Sequence, residues 1–82
     1  MPTGQHIARH GISAEEAEEA VQIDPLDADV QQHEREQRTL CFGRTRLGRL
    51  LTVLYAERHG RVRVVTAYEM TKAQQRLYFQ EK

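Results

Sequence analysis

The sequence predicts an α+β domain: two helices, an antiparallel sheet of three or four strands, and a closing helix. Three observations carry this. "SAEEAEEAVQ" has a capping signal and a helical period, and Pro25 ends it. Three segments with strand character follow, at 36–45, 49–57 and 61–68, joined by the short glycine-bearing links "RLG" and "RHG". A second capping signal, in "TKAQQRLYFQEK", opens the last helix. With 82 residues the chain is expected to form one domain, 1–82, around a small core.

Each element has its own reason. Gly11 suits the left-handed end of a short first helix over "QHIARHG". Ser13 can cap the second helix, and Glu16, three residues on, can complete a capping box. The inward stripe of that helix is Ala14, Ala17, Ala20 and Val21, thin enough to demand close packing. "DPLDAD" then favours a turn, and "DADVQQH" is a poorer fourth strand. Segment 49–57 is apolar on both faces, with Leu51, Val53 and Tyr55 on one and Leu50, Leu54 and Ala56 on the other. That pattern predicts a central strand covered on both sides. Strict alternation along 61–68 puts Arg61, Arg63, Val65 and Ala67 on one face, and Val62, Val64, Thr66 and Tyr68 on the other. In the closing helix Thr71 and Gln74 form a capping box, while Met70, Ala73 and Leu77 face inward.

Composition narrows the function. Net charge is zero, yet residues 1–37 hold two basic and nine acidic side chains, and residues 38–82 hold ten basic and three acidic. Such a split points to a polyanion or charged partner, or to two halves that neutralise each other. The longest apolar or near-apolar run, Leu50–Ala56, is too short to span a bilayer, and "MPTGQHIARHG" lacks the apolar core of a secretory signal. The single Cys41 cannot form an internal disulfide, which fits a reducing cytoplasm. His6 and His10 stand one helical turn apart, but no third ligand is evident, so neither metal nor cofactor is expected. There is no phosphate-cradling glycine loop, no CxxC pair and no nucleophile elbow.

Taken in order, "RHGISAEEAEEAVQIDP", "EQRTLCFGRT" and "GRLLTVLYAERHGRVRVVTAYEMTKAQQRLY" resemble the BrnT family of bacterial toxins over residues 9–79. In that family a basic-His-Gly-Val/Ile-Ser motif opens the acidic helix, and an "E-x-R" strand and "G-R-L-L-x-V-x-Y-x-x-R" follow. The resemblance implies a RelE/ParE-like fold, metal-independent cleavage of RNA, and a cognate BrnA-like antitoxin. It also implies a shortened N-terminus, with His6 at the family's asparagine position and Pro2 near its lysine; near the C-terminus Tyr68 stands where an arginine is common.

Cleaving RNA without a metal needs charge at the phosphate and groups that move protons. Arginine suits the first task, because its planar fork binds phosphate in bidentate fashion and stays charged. Arg63 and Arg38 match the family's strand arginines and are the expected phosphate holders. Pairing with Glu57, Glu36 or the acidic helix is the competing structural role for them. His10 matches the family histidine, and Glu57 and Tyr68 near strand ends are further proton carriers. Arg44, Arg46, Arg49 and Arg61 are expected to extend one basic surface for nucleic acid. Two functions follow: an endoribonuclease toxin, or a catalytically degenerate module that binds only a protein partner or nucleic acid. A second copy of the chain or an antitoxin is expected to cover part of the sheet or the Tyr78–Phe79 helix end.

Overall fold

The computed structural model describes residues 11–81, in the order α1 (Ala14–Gln22), β1 (Leu26–His33), β2 (Glu36–Arg44), β3 (Leu50–Arg58), β4 (Arg61–Glu69) and α2 (Lys72–Glu81). The strands form one antiparallel sheet in the order β1-β2-β3-β4. Where two helices were expected before the sheet, the described residues hold one. The helix expected over "QHIARHG" lies outside them, apart from Gly11, which has the expected positive φ of 71°.

Local chemistry sets the element ends. Ser13 and Glu16 form the reciprocal capping box at 3.0 Å in each direction. Thr71 and Gln74 repeat it for α2, at 3.1 and 3.0 Å. The β3–β4 turn is the two residues His59 and Gly60, both at positive φ (55° and 76°), as a tight hairpin that matches strand twist requires. The β2–β3 link is closed by backbone bonds between Thr45 and Arg49 and between Gly48 and Thr45, each of 2.9 Å.

Each face of the sheet has its own core. Ile12, Ala17 and Ala20 pack with Cys41, Leu51, Val53 and Ala67 on one face. Tyr78 and Met70 pack with Phe42 on the other, flanked by Leu26 and Leu50. The thin alanine stripe does bring helix and sheet close: a Cβ built on Gly43 would lie 1.8 Å from the Ala20 carbonyl oxygen. Cys41 is fully buried, and burial pushes its thiol up to about 12.

Two side-chain expectations need correction. In α2 the inward side is Tyr78, while Ala73 and Leu77 are exposed. Gln74, one turn before Tyr78, accepts from the Thr52 hydroxyl at 2.8 Å and donates to the Tyr68 hydroxyl at 3.3 Å. Tyr78 on that face packs against Phe42 and Met70 and donates its hydroxyl to the Asp24 carbonyl at 2.7 Å. In β4 the alternation breaks. Leu54 pairs with Thr66 but Tyr55 pairs with Val64, so Val65 is an extra residue, a bulge. Val64 and Ala67 therefore share the α1 face, and Arg63 shares the α2 face with Thr66 and Tyr68.

Candidate functional site

The α2 helix is short and covers one end of its face, over Phe42 and Leu50. Toward the β1–β2 and β3–β4 hairpin ends that face lies open, and the register loads it with charge. Gln31, Arg38, Ala56 and Arg63 align across the four strands at about 4.8 Å per strand. One step nearer the hairpin ends, His33 pairs with Glu36 and Arg58 pairs with Arg61.

A single carboxylate organises this group. Glu36 Oε2 accepts from Arg38 Nε at 3.2 Å, and Oε1 accepts from Arg63 Nη2 at 3.0 Å. These bonds, Arg63's before Arg38's, hold the Glu36 carboxyl below the usual carboxylate range. Its side chain is 20% exposed, against 40% for Arg38 and 59% for Arg63, so both forks keep faces turned to solvent. Arg58 and Arg61 are exposed and make no ion pair among the described residues. Two shallow depressions meet here. His33, Glu34, Arg35, Glu36, Arg38 and Arg58 line one, and Glu36, Arg58, His59, Arg61 and Arg63 line the other. Five arginines against two carboxylates, Glu34 and Glu36, leave a net positive surface suited to an anion.

The other expected site residues lie elsewhere. Glu57 is exposed and pairs with Gln37 and Val62, one residue out of phase with Ala56 and therefore on the opposite face from Arg63. Tyr68 shares the face of Arg63 but pairs with Thr52, four β3 residues from Ala56, about 13 Å along the strand. His10 lies outside the described residues. Arg44, Arg46 and Arg49 sit at the far end of the sheet from Arg38, so the arginines of 43–65 form two groups rather than one surface.

The far group is largely tied to acids. Arg49 donates from Nη1 to the Gly11 carbonyl at 2.8 Å and to Glu16 at 3.1 Å, and from Nε to Glu69 at 3.1 Å. Arg46 gives its backbone N–H to Glu19 at 2.9 Å, while its exposed guanidinium stands 4.0 Å from the same carboxylate. Arg44, exposed at the end of β2, makes no ion pair among the described residues.

Reading the strands singly gave Glu36 only a pairing role, and left Arg58, His33 and His59 out of the site. The signal was in the hairpins: short links force His33, Glu36, Arg58 and Arg61 to the same end of the sheet. Among the described residues no three His, Cys, Asp or Glu side chains converge to hold a metal ion. No described helix is long and apolar enough to cross a membrane.

Compared with known proteins, residues 3–74 match the model of a family described as the ribonuclease toxin BrnT of type II toxin–antitoxin systems. No curated protein and no solved structure gives a match. The matched stretch takes in α1, the whole sheet with its open arginine group, and the start of α2. The chain belongs to the BrnT toxin family of type II toxin–antitoxin systems.

Proposed function

We propose that this chain is an endoribonuclease toxin of RelE/ParE-like fold that cleaves RNA in the cytoplasm without a metal and is neutralised by a BrnA-like antitoxin. The observation that carries the reading is the arginine group around Glu36 on the open half of the sheet, in a chain of a toxin family. Arg63 and Arg38 bind the scissile phosphate through the fork faces that Glu36 leaves free, and stabilise the charge that builds on its oxygens as the bond breaks. Arg58 and Arg61 hold neighbouring phosphates. Glu36 keeps the two forks in place, which removes an ordering cost from the moment of binding. An acidic antitoxin segment on the same arginines would inhibit by replacing the RNA.

The second reading, a binding module without catalysis, has one observation in its favour. Neither Glu57 nor Tyr68 stands beside Arg63, so neither is placed to move a proton at a phosphate held there. Incubation of purified protein with total RNA, with and without EDTA, separates the two. The toxin reading expects cleavage with chelator present, and a loss of about 100-fold or more in Arg63→Ala. Arg76→Ala, which removes the same charge from the exposed side of α2, keeps the activity. RNA binding without cleavage in wild type would leave the binding module.

A further inference from the structure

We infer that His33 and His59 are the acid–base pair of the open arginine site; this rests on the ribonuclease reading above. The two come from different hairpins. His33 ends β1 in register with Glu36, and His59 follows Arg58 in the β3–β4 turn. They line the two adjoining depressions, which share Glu36 and Arg58. His33 thus lines the depression that holds Arg38, and His59 the one that holds Arg63, with Glu36 and Arg58 common to both.

Among the described residues, chemistry leaves these two the task. Glu36 accepts hydrogen bonds from two guanidinium groups that favour its charged form, so it is a poor base and a good anchor. Tyr68 is held by Gln74 far along the strand, and Glu57 is on the other face. The remaining charged neighbours are cations or lie beside the first turn. His33 is faced by Glu34, Arg35, Glu36, Arg38 and Arg58. His59 is faced by Glu36, Arg58, Arg61 and Arg63. Imidazole is the side chain able both to take and to give a proton near neutral pH. Both histidines are exposed, and the positive φ of His59, 55°, turns the chain back sharply at the site's rim.

In the step itself one imidazole takes the proton of a ribose 2′-hydroxyl, and that oxygen forms a bond to phosphorus. The bond from phosphorus to the 5′ oxygen of the next nucleotide breaks, and the second imidazolium protonates the departing oxygen. The products are a 2′,3′-cyclic phosphate and a 5′-hydroxyl; neither water nor a metal is consumed. The pair exchanges its protonation states in the turnover.

The test compares wild type with His33→Gln, His59→Asn and the double variant on a short RNA oligonucleotide in EDTA from pH 5 to 9. Asparagine is chosen at position 59 because it tolerates the left-handed backbone. Wild type should give a bell-shaped rate profile and cyclic-phosphate ends. Each single variant should lose about 100-fold in kcat with little change in KM and should lose one limb of the bell, which assigns its role. Binding of the all-2′-deoxy oligonucleotide should be kept in both. Wild-type rates and an intact bell in either single variant would overturn the pair while leaving the ribonuclease reading standing. A bell abolished by His10→Ala instead would do the same. No cleavage by wild type at any pH would overturn both.

Discussion

The two ends of the sheet use the same residue type for opposite purposes. Arg49 has its guanidinium divided between Glu16, Glu69 and the Gly11 carbonyl, and is 31% exposed. It ties the start of α1 to the ends of β3 and β4. At the other end Arg38 and Arg63 share one carboxylate, and Arg58 and Arg61 pair with none among the described residues. The first end is balanced and closed; the second has an excess of positive charge on an open face. An arginine count cannot tell these apart. The number of carboxylates within reach of each guanidinium can.

Substitutions should therefore damage the fold at the closed end and the activity at the open one. The largest effect is expected at Gly43→Ala, where the new Cβ would meet the backbone of Ala20 rather than a side chain that can move. A loss of about 3 kcal/mol or more, read by urea unfolding, is expected, because neither helix nor strand can yield. Near-wild-type stability there would mean that α1 can slide, and that the closed end is less rigid than its contacts imply. Arg49→Ala comes next. It removes two partly exposed ion pairs and a carbonyl bond, for about 2 kcal/mol and a fall in Tm of roughly 10 °C. It should leave RNA affinity nearly unchanged once the protein is held at a temperature where it is folded.

At the open end Glu36→Gln should lower Tm only slightly, because its ion pairs are partly exposed, but separate binding from turnover. RNA binds several-fold more tightly, since a negative charge is gone from the arginine group, while kcat falls because Arg38 and Arg63 lose their anchor. If binding and turnover rise together, Glu36 is an obstacle rather than a support. RNA affinity should also fall steeply with salt, with a log–log slope of about −0.7 for each phosphate held, so about −2 to −3 for three or four. A flat response would remove the arginines from the interface.

The pH response should come mainly from the anchored carboxylates. Glu16 is held below its usual 4.5, first by the Ser13 backbone N–H and then by Arg49. Glu36 is lowered by Arg63 and Arg38. A lowered folded-state pKa means stability that is complete above 4.5 and drains away as pH falls through the lowered values. Tm should thus decline below about pH 4.5, and the decline should be shallower in Glu16→Gln. The smallest effect belongs to Arg46→Ala. Its exposed guanidinium is 4.0 Å from Glu19, and removing it should change stability by less than about 0.5 kcal/mol. The stabilising bond there comes from the Arg46 backbone N–H, which the substitution keeps.

What could be read from the sequence were the features that residues a few positions apart decide. Both capping boxes, the end of α1 before Pro25, the tight His59–Gly60 turn and the four strands are local chemistry: a side chain bonding its own helix start, a ring that forbids a donor, a backbone that accepts positive φ. What only the tertiary structure decided were the faces and the partners. The Val65 bulge shifts Arg63 into phase with Tyr68, because pairing with β3 overrides the alternation of β4 taken alone. Tyr78 takes the inner side of α2 in place of Leu77, where it packs on Phe42 and bonds the Asp24 carbonyl while Gln74, one turn earlier, bonds Thr52 and Tyr68. The arginines divide into a scaffold and an open site because Glu16, Glu69 and Glu36 approach Arg49 and Arg63 from 20 to 33 positions away; only the Glu36–Arg38 pair is local, two residues apart on β2. Charge balance around a guanidinium is set by distance in space, and a linear pattern carries no measure of it.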